Sequence, residues 1–157
     1  MEIQKKINAL NSLIIINHDR IEGYKTAEAE AQETDLKMLF SDLMETSIQN
    51  CKELVSEVKR LGGTPDEGTR ITGKFFRVWM DVKAAFTGND KKMILDSCQY
   101  GENVALETYK NILIQDRLII SPEEQRILNK QYEFLKADYH KIKVLITEIE
   151  QEKRFSE

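Results

Sequence analysis

The chain has 157 residues, 41% of them hydrophobic and 32% charged, with seven glycines and two prolines. That length suits one domain with a substantial core, and so few chain breakers argue against a turn-rich β fold and for long helices. A net charge of −4, with Lys and Arg scattered among acids, gives no electrostatic reason to expect a nucleic-acid partner.

No apolar run reaches the roughly 18–20 residues that cross a bilayer, so no membrane partner is expected. The segment from Met1 to Lys6 lacks the apolar centre of a secretory leader. Cys51 and Cys98 are too few for a disulfide framework and neither lies in a CxxC pair. Free thiols in a reducing cytoplasm are the expectation.

The pattern predicts a first helix over about 2–32, with Ile3, Ile7, Leu10, Ile14, Ile21 and Tyr24 on one stripe. Thr34 can cap a second helix over about 35–61, whose stripe holds Leu36, Phe40, Leu43, Leu54, Val58 and Leu61. Leu61-Gly62-Gly63-Thr64-Pro65 stops it, because Gly accepts the left-handed cap and Pro cannot continue a helix. A short amphipathic helix over about 73–87 follows, with Phe75, Phe76, Trp79, Val82 and Phe86, and Gly88-Asn89 ends it. A third long helix spans about 90–115. The fourth opens at Ser121-Pro122-Glu123-Glu124, a Ser cap with Pro at the first helical position and Glu at the third, and runs to about 152.

Four long helices with two tight connections and one long middle connection specify an all-α up-down four-helix bundle of one domain. Short loops make the first helix antiparallel to the second, and the third antiparallel to the fourth. The 28-residue crossover over 62–89 can return along the bundle, so the second and third long helices run parallel, with the short fifth helix packed along a groove.

Four stretches stand out in order along the chain: Asp19-Arg20-Ile21-Glu22-Gly23-Tyr24, Glu57-Val58-Lys59-Arg60-Leu61-Gly62-Gly63, Phe76-Arg77-Val78-Trp79-Met80-Asp81-Val82-Lys83 and Gly101-Glu102-Asn103-Val104-Ala105-Leu106. Together they resemble a bacterial ferritin-like family of unknown function, related to ferritins and rubrerythrins. The resemblance implies a ferritin-like bundle without an agreed activity. The chain departs from it at Phe76, where relatives often carry His, and at Gln99, where they often carry Glu. Both changes remove a ligand or proton carrier.

A di-iron bundle needs carboxylates projecting inward, a Glu from each of two helices and a Glu-x-x-His from each of the others. At roughly 100° per residue, Ile94, Cys98, Ala105, Tyr109 and Ile112 define an inward arc with Glu102 near its centre. Leu128, Tyr132, Leu135, Tyr139, Ile142, Ile146 and Ile149 define another that includes Asp138, while His140 points nearly the opposite way. The second helix turns Ser47 and Cys51 inward and Asp42 and Glu45 outward; in the first, Asn17 lies on the stripe and His18 and Glu22 progressively off it. Asn17, Ser47, Glu102 and Asp138 fall at similar heights and form the expected polar core layer.

Two readings of that layer stand side by side. In one, Glu102, Asp138, Glu22 and His18 hold iron or manganese and support chemistry with oxygen or peroxide. In the other, the acids belong to a structural hydrogen-bonded cluster that sets helix register. Neither Glu-x-x-His motif is present, since Ile48 stands three after Glu45 and Ala137 three before His140. There is also no nucleophile elbow and no phosphate-cradling Gly loop. The preferred expectation is therefore a non-enzymatic structural or interaction bundle with a degenerate metal site and no catalytic residues or cofactor. A homodimer through an exposed helix face is a further expectation.

Overall fold

The computed structural model describes residues 2–68 and 73–156, with side chains described except at 73–76. The side chains of Phe75 and Phe76 thus lie outside the described residues. Five helices follow in order: α1 (Glu2–Glu30), α2 (Thr34–Arg60), α3 (Gly73–Thr87), α4 (Lys91–Gln115) and α5 (Pro122–Ser156). Among the described residues there is no strand, and no helix is long and apolar enough to cross a membrane.

Ion pairs at the two ends fix the helix directions. Near one end, Glu124 at the start of α5 meets Lys6 at the start of α1 (2.9 Å) and Arg60 at the end of α2 (3.5 Å). At the other, Lys91 at the start of α4 meets Glu33, which precedes α2, and Asp35 in the first turn of α2, at 2.9 and 2.6 Å. Lys92 lies 4.0 Å from Glu150, near the end of α5. Hence α1 and α5 run one way, and α2 and α4 the other. Backbone contacts join α1 to α2, α4 to α5, α1 to α4 and α2 to α5, which leaves α2 diagonal to α4. Cys51 and Cys98 therefore sit on non-adjacent helices as free, buried thiols, with burial pushing Cys51 up to about 12.

Local chemistry sets each boundary. Gly62, at φ +83°, donates to the Lys59 carbonyl and Gly63 to the Val58 carbonyl, closing α2 with a left-handed glycine. Asn89, at φ 52°, plays that part after α3. Asp90 then caps α4, its side chain accepting from the Met93 N–H at 3.1 Å. At α5 the expected box is reciprocal: the Glu124 N–H donates to Ser121 Oγ (3.1 Å) and the Ser121 N–H to Glu124 Oε1 (2.8 Å). Thr34 is not the cap of α2. It lies inside the helix, Glu33 holds the cap position without a side-chain bond, and Asp35 instead accepts from the Leu36 N–H.

The core has two main parts. Tyr24, Leu36, Phe40, Leu43, Leu95 and Ile142 fill one end, and Leu10, Leu13, Leu54, Val58, Tyr109 and Leu135 the other. Ile3 departs from the expected stripe; it sits in the first turn at 57% exposure, before the bundle closes around α1 at Ile7. The crossover helix α3 lies against α1 and α4, seated on two glycines. A Cβ on Gly23 would stand 1.8 Å from the Trp79 ring, and one on Gly101 would stand 3.0 Å from Val78.

Two tests follow. Gly23→Ala should unseat Trp79, costing about 1–3 kcal/mol as an overpacked contact, read as a lower denaturant midpoint with a shifted Trp79 emission. The second concerns Glu124. Burial alone would raise its pKa, but hydrogen bonding to Glu57, to Ser121 and to Lys6 holds it at about 2, below its ordinary 4.5. Because the folded value is depressed, its contribution is present above pH 4.5 and is lost as pH falls through about 2. The stability difference between wild type and Glu124→Gln should therefore shrink across that window in acid titrations of urea unfolding.

Candidate functional site: a buried arginine between two acids

The inward acids do face each other, and a basic residue lies between them. Arg20, on α1 and only 1% exposed, extends its guanidinium into the bundle centre. Its Nε and Nη2 donate to Glu102 Oε1 at 3.1 and 2.9 Å, and Nη2 also reaches Asp138 Oδ2 at 3.2 Å. Nη1 donates to Ser47 Oγ, and the Tyr24 hydroxyl donates to Glu102 Oε1. Each of the four long helices supplies a member: Arg20 and Tyr24 from α1, Ser47 from α2, Glu102 from α4 and Asp138 from α5.

The electrostatics follow from burial. Water exclusion alone would lower the Arg20 pKa, yet Glu102, Tyr24 and Asp138 raise it above its ordinary value, so it stays cationic. Burial pushes the Glu102 carboxyl up, against the opposing pull of Arg20 and of the Tyr24 hydrogen bond. Asp138 is likewise pushed up by burial against Arg20. Lys141 approaches its other oxygen from solvent at 3.8 Å. Burial and the Glu102 charge also push the Tyr24 phenol well above its ordinary 10.0, so it remains a donor. Glu102 Oε2 is buried with no hydrogen-bond partner among the described residues.

A second, uncharged tier lies beside the first and again draws on all four long helices. Asn17 Nδ2 donates to the Leu13 carbonyl and to Tyr109 Oη, both at 2.8 Å. Tyr109 donates to Gln131 Oε1 at 2.8 Å, and Asn50 Nδ2 donates to Asn17 Oδ1 at 3.2 Å. Gln131 Nε2 continues outward to Glu53 at 3.3 Å, which pairs with Lys130 at 2.7 Å.

The expected layer of Asn17, Ser47, Glu102 and Asp138 is thus buried throughout, but it divides. Ser47, Glu102 and Asp138 share Arg20, whereas Asn17 belongs to the neutral tier. His18 and Glu22 are not brought to the acids. The His18 ring packs where a Cβ on Gly68 would stand 2.3 Å from it, and Glu22 is exposed beside α3. Glu45 and His140 are exposed, as their phase predicts. Among the described residues, no group of three or more His, Cys, Asp and Glu side chains is placed to hold a metal ion.

Sequence reading passed over Arg20, Asn50 and Gln131. Arg20 lies three residues after Asn17 and four before Tyr24, squarely on the buried stripe, but an arginine there reads as a solvated residue. The available signal was the need of two inward acids for a cation at their height.

A family model described as a domain of unknown function, DUF2383, matches residues 5–115. No curated protein matches the chain, and no solved structure does. The matched span includes Asn17, Arg20, Tyr24, Ser47, Asn50, Glu102 and Tyr109, but not Gln131 or Asp138 on α5.

Arg20→Met should leave two buried acids without their cation and cost about 3–5 kcal/mol. Replacing all three charges together, as Arg20→Met, Glu102→Leu and Asp138→Leu, should recover most of that loss. Urea unfolding of the single and triple variants measures both. A single-variant cost as small as that of an exposed pair, below about 1 kcal/mol, would contradict this description of the cluster.

Proposed function

The chain belongs to the DUF2383 family, a domain of unknown function, and from that premise we propose a non-enzymatic structural or interaction bundle. It has ferritin-like architecture, with an arginine in the place that carboxylate bundles give to a metal. The observation that carries this reading is the engagement of both inward acids by one guanidinium, Arg20 to Glu102 at 2.9 Å and to Asp138 at 3.2 Å. Support for the ferritin-like part comes from antiparallel neighbouring helices, a parallel diagonal pair α2 and α4, and the long crossover between them.

The residues do not fit a di-iron or di-manganese set. Such a set needs inward carboxylates or imidazoles from all four helices. Here α1 contributes a cation, α2 a hydroxyl, and α4 and α5 one acid each. A guanidinium has five donors and no acceptor, so it engages one oxygen of each carboxylate while offering nothing to a metal. The buried free thiols Cys51 and Cys98 support a reducing, cytoplasmic setting, and the scattered surface charge supports protein partners over nucleic acid.

Metal analysis of protein purified from cells supplied with iron and manganese tests the reading. Only traces of metal are expected. Iron or manganese retained in stoichiometric amount through gel filtration would overturn it.

A further inference from the structure

Between α1 and α3 runs an open groove that encloses a cavity of about 160 Å³. Gly23, Ala27, Trp79, Val82 and Phe86 make its apolar floor, and Met80, 53% exposed, stands on its α3 rim. Along the α1 rim lie Glu22 and Glu30, both solvent-exposed. Neither carboxylate has an ion pair or hydrogen bond among the described residues, unlike the paired Glu33 and Glu57 nearer the helix ends. Eight residues apart, they sit about 12 Å from one another along the helix axis.

We propose that this groove docks an amphipathic helix of a partner protein, presenting one apolar side chain to the cavity and a Lys or Arg to each of Glu22 and Glu30. The proposal rests on the interaction-module reading above and names the surface and the partner's chemistry. Two unpaired acids about two helical turns apart match cations seven or eight residues apart on a second helix, with the apolar anchor between them. Lys83 on the opposite rim repels those cations and so confines them to the α1 side. A small cationic ligand in the cavity could not reach both carboxylates, which favours a segment two turns long. Trp79 and Phe86 beneath, with the flexible Met80 at the edge, form the kind of aromatic and thioether surface on which an apolar anchor gains affinity.

A displayed library of helical peptides, panned on the full chain, tests this. Enriched peptides should carry paired Lys or Arg seven or eight residues apart flanking an apolar residue, and should produce a saturable change in Trp79 emission. Glu22→Gln/Glu30→Gln should weaken them roughly three- to tenfold, and Thr26→Phe, which fills the groove from an exposed helical position, should abolish binding. Circular dichroism checks that both variants remain folded. Enrichment equal to that on the Thr26→Phe protein, or enriched peptides without the basic pair, would overturn the proposal. So would self-association of the wild-type chain that Thr26→Phe removes, since the groove would then belong to a second copy. Metal retention bears only on the bundle's proposed lack of a metal centre, so the two readings fail separately.

Discussion

Putting two carboxylates into the dry centre of a helical bundle requires a cation within hydrogen-bond reach, and here Arg20 supplies it. A buried acid without such a partner is costly enough to unfold a small domain. Glu102 and Asp138, on two different helices, are held to one guanidinium from a third, and the fourth contributes Ser47. The geometry is therefore a joint condition on all four long helices. Sliding any one by a turn would break several bonds at once. The neutral tier of Asn17, Asn50, Tyr109 and Gln131 repeats that condition with uncharged groups. An apolar core could tolerate several helix registers, but two such tiers cannot.

The crossover completes the arrangement. Gly23 and Gly101 are next in sequence to Tyr24 and Glu102, and they let Trp79 and Val78 of α3 approach α1 and α4 closely. Trp79 meets the Tyr24 ring edge-on at 5.1 Å, and the Tyr24 hydroxyl bonds Glu102. Packing of the short helix is thus mechanically continuous with the buried charges. The proposed docking groove lies on the outer side of that same α1–α3 contact, so its floor is backed by rigid structure.

Much of this was legible in the sequence. Glycine and proline placement marked the helix ends to within a few residues, and helical phase placed Glu102 and Asp138 inside and Glu45 and His140 outside. Phase works for these residues because flanking Ile, Leu and Ala positions define each arc. It failed in part on α1, where Ile3 and Ile21 lie off the buried stripe and Arg20 lies on it, although Ile7, Leu10, Ile14 and Tyr24 are buried as expected. An isoleucine-rich helix blurs its own face, and a charged residue on the true face is then discounted. The two-tier division was also hidden, because side-chain length decides which groups meet across the centre. Arg20 spans the interior to reach the acids, whereas the short amide of Asn17, one turn earlier, stays with Tyr109. Thr34 showed the limit of capping rules where Glu33, Thr34 and Asp35 compete for one boundary.

The central claim is that Arg20 is a charged, water-excluded member of the core, bonded to Glu102. The most direct measurement is hydrogen exchange at the Arg20 side-chain Nε–H, followed by nuclear magnetic resonance. The account predicts protection comparable to that of core backbone amides, and loss of that protection in Glu102→Gln. Exchange as fast as that of the exposed Arg126 would mean that the guanidinium is solvated, and the arginine-centred bundle would have to be abandoned.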